Sequence, residues 1–270
     1  MSKTERMTVL FDRFFDDAAI FPPGNAAMDD AVRAHVAMLG SPLARHLGPF
    51  VCSASRLTGL GDALVAADVD VLDLALVTPA GGSAVAAITA VHDDPRLRLR
   101  AVEVSGTTPG DPLPAVPEGT LLLVERAATS PFDLSPDVAL KLRTGGETPD
   151  AFPDDARLAS ALAGALAQGL RFKLTAGLHH AVRHTDPATG FEHHGFLNVV
   201  LAVHAALTDS GDDLAATLAE RDASVVAAAV AELDESARGL VRSRFLSLGT
   251  CSTTDPVDDL RKLGLLEVAA

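Results

Sequence analysis

The composition of this 270-residue chain excludes several classes of protein. Its formal net charge of −14 argues against nucleic acid as a partner, because contact with phosphates requires a basic surface. Apolar residues make up 48% and charged residues 21%, as in globular proteins, and no apolar run reaches the roughly 18 residues of a membrane span. The first residues lack the apolar core of a secretory signal, and two cysteines are too few for a disulfide framework. We therefore expect a cytoplasmic protein.

The chain alternates short β-rich runs with segments of helical pattern. The first strand is predicted at Thr8–Phe11, with Ala19–Phe21 as its continuation. Seven more strands are predicted, at Phe50–Ser53, Val71–Thr78, Leu99–Val104, Leu121–Glu125, Val138–Leu142, Arg171–Thr175 and Phe245–Leu248. Helices are predicted between them, at Met28–Leu39, Leu57–Ala66, Ala84–His92, Asp155–Ala167 and Asp255–Lys262. This alternation favours parallel strands joined by crossover helices.

Eight strand–helix units in a chain of this length predict a (β/α)8 barrel of the TIM type, with residues 1–270 forming one α/β domain. The one oversized connection, Ala181–Val241, holds helical patterns at Leu197–Leu207 and Leu214–Glu220, so we expect an enlarged helical insertion between strands seven and eight. A doubly wound open sheet is the alternative. The glycine-rich fingerprint that would follow an early strand in such a sheet is absent.

Four consecutive predicted strands each carry one ionisable side chain on the face expected to line the barrel. Alternate residues of a strand point to opposite sides, and the apolar faces must cover the helices. By this rule Lys141 lies with Ala139 and Arg143, and Lys173 with Thr175. Glu103 lies with Leu99 and Ala101, and Glu125 with Leu121 and Leu123. In this fold, chemistry is found at the C-terminal ends of the strands.

Lysine is rare in this chain, which indicates a specific role for the two interior lysines. The sequence has 18 arginines and only four lysines, two of which are Lys141 and Lys173. Lysine can lose its proton in a protein, whereas arginine cannot. Repulsion between two neighbouring ammonium groups, together with burial, would lower their pKa values and favour imine chemistry. A purely structural layer of ion pairs with Glu103 and Glu125 is the alternative.

Five of the nine histidines fall between His179 and His194, directly after the seventh strand. Imidazoles at this rim would serve proton transfer or substrate binding, with His179 and His180 the first candidates. A metal site is not favoured, because the spacing matches no recognisable zinc motif. If a divalent metal were bound, its ligands would come from His180, His184, His193 and His194.

Polar groups after strand six predict a cradle for an anionic substrate. Arg143, Thr144 and the amides of Gly145 and Gly146 would bind it, with Arg183 as a second clamp. Asp16 and Asp17 follow the first predicted strand, where aspartates serve either a rim site or a solvated turn; a turn is favoured.

Four longer motifs resemble those of a bacterial protein family that has no assigned activity: "DDAAIFPPGNAAM", "KLRTGGETPDAFP", "FKLTAGLHHAVRHTDPATGFEHHGFLN" and "LGTCSTTDPVDDLRKLGLL". Locally, "LKLRTGG" and "FKLTAG" are similar to the two lysine-bearing strands of deoxyribose-phosphate aldolases. The resemblance implies a Schiff-base lysine at Lys141 and a second lysine at Lys173. This chain departs from that family in carrying Glu103 in place of an aspartate, and "LHH" in place of a glycine-rich phosphate-contacting turn.

The leading hypothesis is an enzyme that acts on a small molecule next to a carbonyl, a lyase of the aldolase type that uses a lysine imine and no cofactor. Lys141 would be the nucleophile, Lys173 its neighbour, and Glu103 or Glu125 the proton shuttle. A metal-dependent hydrolase or isomerase that uses the rim histidines and glutamates is the first alternative. A non-catalytic protein that binds an acidic small molecule is the second. The sequence does not define the oligomeric state.

Overall fold

A computed structural model describes residues 9–129 and 132–266. Eight parallel strands close into a TIM-type barrel, in which β1 pairs with both β2 and the last strand, β10. The barrel strands are β1 Phe15–Asp17, β2 Leu47–Ser53, β3 Leu72–Pro79, β4 Leu97–Ser105, β5 Leu121–Arg126, β6 Ala139–Arg143, β7 Phe172–Thr175 and β10 Phe245–Thr250. The predicted fold class is therefore confirmed.

A single α-helix follows each of five of these strands, as the apolar periodicity predicts. They are α1 Met28–Leu39, α2 Leu57–Ala66, α3 Gly82–Asp93, α4 Asp155–Ala167 and α9 Thr254–Lys262. The links from β4 to β5 and from β5 to β6 are short and proline-rich, and their described residues form no helix. Among residues 9–129 and 132–266, no helix combines the length and the apolar character that a membrane span requires.

The prediction for the first strand is wrong. The strand is Phe15–Asp17, four residues beyond the predicted end at Phe11, and Thr8 lies outside the described residues. Ala19–Phe21, the predicted continuation, forms a turn. A three-residue strand with adjacent aspartates has the composition of a turn, yet all three of its residues are buried. The hydrogen-bond ladders on both sides of β1 outweigh its weak local preference.

The enlarged connection between β7 and β10 contains two very short antiparallel strands, β8 His184–Thr185 and β9 Glu192–His193. They are followed by four helices, α5 Phe196–Thr208, α6 Leu214–Ala219, α7 Ala223–Glu232 and α8 Glu235–Arg244. Helix α5 is buried along most of its length, where it packs with the residues of β7 and β10. The predicted helical insertion at 181–241 is present.

Two large apolar clusters lie outside the barrel wall, and one small cluster lies inside it. The buried members of the inner cluster are Val51, Ala75, Ala101, Leu123 and Ala139. Three of these five residues are alanines. Small interior side chains leave space that longer charged side chains from β1 and β4 to β7 can occupy.

Strand β4 carries a bulge at Arg100. Leu74 of β3 pairs with Leu99, but the next residue, Ala75, pairs with Ala101, so Arg100 is an extra residue on β4. Ala101 belongs to the inner cluster, whereas Leu99 packs with the outer one. The prediction that Leu99 faces the interior with Glu103 is wrong, because an extra residue reverses the alternation of faces.

Candidate functional site

Five charged side chains form one continuous series of ion pairs inside the barrel, the ion chain, made of Asp16, Lys173, Glu103, Lys141 and Glu125. The Lys173 ammonium lies 2.6 Å from a carboxylate oxygen of Asp16 and 2.6 Å from Glu103 Oε1. The Lys141 ammonium lies 2.8 Å from Glu103 Oε2 and 2.9 Å from Glu125 Oε2. Glu103 therefore bridges the two lysines, one oxygen to each.

The strand register brings these groups together. Lys141 and Lys173 are direct partners across β6 and β7, and Glu125 pairs with Lys141 across β5 and β6. Glu103 reaches both ammonium groups from β4. The four residues that the sequence predicts as catalytic thus lie within one cluster.

Asp16 is a member of the cluster that the sequence did not favour. Its Oδ2 accepts a hydrogen bond of 2.8 Å from the Ser247 hydroxyl of β10. A Cβ atom on Gly48 of β2 would lie 2.0 Å from Asp16 Oδ1, so only glycine leaves room for this carboxylate. The available signal was the aspartate pair beside a run of phenylalanines, which indicates a buried rather than a solvated segment.

The pKa values within the ion chain follow from burial and from the neighbouring charges. Burial alone would raise the pKa of Glu103, but the ammonium groups of Lys141 and Lys173 lower it to about 2. Burial would lower the pKa of Lys173, but the carboxylates of Asp16 and Glu103 raise it above its ordinary value. The expected lowering of the Lys173 pKa by a second lysine is therefore wrong, because carboxylates lie between the two amines. Burial raises the pKa of Asp16 more than Lys173 lowers it.

At the C-terminal ends of β6 and β7, two glycines hold the following loops together. The Thr144 hydroxyl donates to the carbonyl oxygen of Ala176 at 2.6 Å. A Cβ atom on Gly145 would lie 3.1 Å from the Gly177 Cα. Thr144, predicted to bind substrate, is thus committed to a loop carbonyl. Arg143 retains 45% exposure of its side chain and lies 3.5 Å from Glu125, which makes it the solvent-facing end of the ion chain.

His179 and His180 lie at the same end of the barrel, but their pKa values are shifted in opposite directions. His179 contacts the hydroxyl of Thr250 at 3.2 Å and the thiol of Cys251 at 3.6 Å. Burial, with the positive charges of neighbouring histidines, lowers the pKa of His179 to about 4. His180 bonds Asp259 at 2.9 Å, and that hydrogen bond raises the pKa of His180. His179 is therefore a neutral imidazole at pH 7.

Arg183 and His194 belong to a second buried cluster, within the β7–β10 connection. The Arg183 guanidinium lies 3.2 Å from Asp155 and 3.3 Å from His194 Nδ1. His194 Nε2 lies 2.8 Å from the carbonyl oxygen of Pro153, and burial lowers the pKa of His194 to about 4. Arg183, predicted as a second clamp on an anionic substrate, thus has an ion-pair partner within the protein.

Among the four histidines named as metal ligands, the rings of His180, His184 and His193 pack against one another, with centroids 4.8 Å apart for His180–His184 and 5.2 Å apart for His184–His193. His184 Nδ1 contacts the carbonyl oxygen of Val182, and His193 Nδ1 contacts that of Gly177, both at 3.1 Å. Both ring nitrogens of His194 have protein partners, and His180 bonds Asp259. Within residues 9–129 and 132–266, no group of three or more His, Cys, Asp or Glu side chains is arranged to hold a metal ion.

The ion chain, with Arg143 and His179 at its C-terminal end, is the strongest candidate site in the described part of the chain. Comparisons with protein-family models, with curated proteins and with solved structures found no match to this chain.

Proposed function

We propose that this protein is a lyase of the aldolase type, in which Lys141 forms an imine with the carbonyl group of a small-molecule substrate. The observation that carries the proposal is the position of the Lys141 ammonium between Glu103 and Glu125, 2.8 and 2.9 Å from their carboxylates. Two acceptors at hydrogen-bond distance allow the amine to give up a proton and regain it within the site.

The charge balance of the ion chain suits this reaction. An ammonium group and a carbonyl group combine to give an iminium group and one water molecule, so the positive charge on Lys141 is the same before and after. Glu103 and Glu125 pair with either form. A proton passes transiently from the ammonium to a carboxylate, and it returns to the carbinolamine hydroxyl that leaves as water.

Cleavage then follows from the electron demand of the iminium group. The bond between the carbon adjacent to the iminium and the next, hydroxyl-bearing carbon breaks, and its electron pair forms an enamine. The hydroxyl proton passes to a carboxylate, and the departing fragment becomes an aldehyde or ketone. Reprotonation of the enamine and addition of water release the second product and restore Lys141.

The exposed fraction of the side chain favours Lys141 over Lys173 as the nucleophile, although a cavity at the N-terminal end of the barrel is lined by Lys173 and not by Lys141. The Lys173 side chain is 3% exposed, and carboxylate oxygens lie 2.6 Å from its nitrogen on two sides. The Lys141 side chain is 8% exposed, and it is linked through Glu125 to the exposed Arg143. Lys173 is then a fixed cation that orients Glu103, and Arg143 offers a positive charge to an acidic substrate.

The test is reductive trapping. Protein is incubated with a panel of aldehydes and 2-oxo acids, reduced with borohydride, and mapped by peptide mass spectrometry. We expect a stable adduct on Lys141, lost in Lys141→Met. Lys262 on α9 has a side chain that is 75% exposed, and its labelling measures non-specific reaction. Labelling of Lys141 no greater than that of Lys262 across the panel would contradict the proposal.

A second candidate is non-catalytic binding of an acidic small molecule, which the exposure of Arg143 beside the ion-paired lysines favours. Binding alone predicts that ligands from the same panel raise the melting temperature without adduct formation and without consumption of the ligand. Loss of that shift in Arg143→Gln would locate the ligand at the C-terminal end of the barrel.

A further inference from the structure

A cavity of about 460 Å³ enters the barrel from the end opposite to Arg143. Its lining comes from the starts of the strands. Arg13 precedes β1, Leu121 is the first residue of β5, and Leu246 is the second residue of β10. At its inner end the cavity reaches Lys173. We call its opening the N-terminal mouth. The volume lies within the range of small-molecule sites, about 300–1,000 Å³.

The N-terminal mouth has an excess of positive charge. The Asp73 carboxylate lies 2.6 Å from the guanidinium of Arg13, 3.0 Å from that of Arg100 and 3.5 Å from that of Arg98. One carboxylate thus faces three guanidinium groups, in a chain whose net charge is −14. The side chains of Arg13 and Arg100 are 55% and 42% exposed.

Both cavity-lining arginines can still bind an anion. Each guanidinium carries five N–H donors, and Asp73 pairs with only one nitrogen of each. The β4 bulge makes Arg100 an extra residue, and Arg100 lines the cavity beside its neighbour Ala101. Arg98, two residues earlier, does not line it.

Behind the arginines the wall is apolar. Leu121 and Leu246 are partly buried, and Leu123 is buried deeper in the barrel. Beyond the leucines lie Ser247 and Lys173, together with the carboxylates of Asp16 and Glu103 that pair with the Lys173 ammonium. From solvent inward, the cavity therefore presents cations, then apolar side chains, then polar groups.

We infer that this cavity is a second ligand site, for a small aliphatic carboxylate. The carboxylate group binds between Arg13 and Arg100, and the hydrocarbon chain lies along Leu121, Leu123 and Leu246. The positive mouth excludes cationic ligands, and the leucines favour an aliphatic body over a bare inorganic anion. The inference does not depend on the imine proposal, because the ligand enters from the opposite end of the barrel and reacts with nothing; the two sites share Lys173 and Glu103, which line the inner end of the cavity.

Hexanoate is the probe, measured by isothermal titration calorimetry against the full chain. Hexan-1-ol has the apolar body without the charge, and inorganic phosphate has the charge without the body. We expect hexanoate to bind with a dissociation constant of about 1 mM or tighter. The alcohol and phosphate should each bind at least about tenfold more weakly. Equal binding of hexanoate and hexan-1-ol, or no binding of hexanoate, would overturn the inference.

Variants locate the bound probe. Arg100→Gln and Arg13→Gln should each weaken hexanoate binding about tenfold, because each removes a charge-assisted hydrogen bond. Arg98→Gln is the matched control, since it removes an arginine that contacts Asp73 but does not line the cavity. Its affinity for hexanoate should stay within about twofold of that of the wild type. Leu121→Asp, with a negative charge in the wall, should abolish binding.

Two results would count against this location. Unchanged affinity in both Arg100→Gln and Arg13→Gln would show that the probe binds elsewhere. Loss of binding in Arg143→Gln, with Arg100→Gln unaffected, would place it at the C-terminal end and support the binding alternative under Proposed function instead. Far-UV circular dichroism verifies that each variant is folded before titration.

Discussion

The ion chain and the histidine-rich segment 179–194 differ in how their residues come together. Members of the ion chain are far apart in sequence, from Asp16 to Lys173, yet successive members lie within 2.9 Å of each other. The histidines are close in sequence, and the rings of His180, His184 and His193 pack together, yet their nitrogens contact different groups, such as Asp259 for His180 and Pro153 for His194. Strand periodicity, which fixes direction, is therefore a better guide to a site than density of functional residues along the chain.

The largest expected effect comes from breaking the ion chain at its centre. Glu103→Gln leaves Lys141 and Lys173 without the carboxylate that they share, and an uncompensated buried charge costs about 3–5 kcal/mol. We expect the free energy of unfolding to fall by that amount. Urea denaturation followed by far-UV circular dichroism measures it, because the chain contains no Trp or Tyr for intrinsic fluorescence.

Glu125→Gln is the matched control for that experiment. Glu125 contacts Lys141 but not Lys173, and its side chain is more exposed than that of Glu103. We expect the free energy of unfolding to fall by less in Glu125→Gln than in Glu103→Gln. Equal losses in the two variants, or a loss below about 1 kcal/mol in Glu103→Gln, would contradict the view that Glu103 joins two buried cations.

The histidine-rich segment is expected to lose stability with falling pH in a range where the contribution of Glu103 does not change. The pKa of His194 is about 4 in the folded protein against 6.5 for a free histidine. The unfolded chain therefore binds more protons between these values, so stability is complete above pH 6.5 and falls as pH drops toward 4. At 1.36 kcal/mol per pH unit, His194 contributes up to about 3 kcal/mol to that fall.

His194→Gln tests this, with unfolding measured from pH 7 to 4.5 by the same method. The variant should show a shallower loss of stability over this range. His92→Gln, at an exposed position of α3, controls for the substitution itself. Glu103 does not affect the change in stability over this pH range, because its contribution to the free energy of unfolding is lost only as pH falls from 4.5 toward 2. Parallel pH profiles for wild type and His194→Gln would refute the assignment.

The smallest of the three effects concerns the space that Asp16 needs. Gly48→Ala places a Cβ atom 2.0 Å from Asp16 Oδ1, so the carboxylate must move and its contact with Lys173 must lengthen. Overpacking of this kind costs about 1–3 kcal/mol. Gly59→Ala, in helix α2 with no atom near the added Cβ, should instead stabilise the protein by about 0.5–1 kcal/mol. Equal stability of the two variants would remove the reason for glycine at position 48.

The barrel and four members of the ion chain could be predicted because parallel strands and crossover helices leave strong periodic signals. Lys141, Lys173 and Glu125 were oriented correctly by simple alternation. Asp16 was not favoured, because a three-residue strand is too short for alternation to be visible. Leu99 was assigned to the wrong face, because the bulge at Arg100 depends on pairing with β3 and has no local signal.

The histidine contacts could not be predicted for a related reason. The segment after β7 contains only two-residue strands, so no repeating pattern fixes the direction of its side chains. The partners of His180 and His194 come from Asp259 and Pro153, which only the folded chain brings near. The raised pKa of Lys173 likewise depends on Asp16, which the sequence did not assign to the barrel interior.

The extra residue in β4 separates the strand into two halves that can vary independently. Up to Leu99 the strand presents its apolar side to the outer layer, and from Ala101 onward the alternation starts again with a new phase. Substitutions at Arg98 or Arg100 therefore do not alter the direction of Glu103. Deletion of Arg100 would restore regular alternation, with Leu99 still outward and Ala101 and Glu103 still inward, so the strand would lose a cavity-lining arginine without turning any other side chain to the wrong side of the wall.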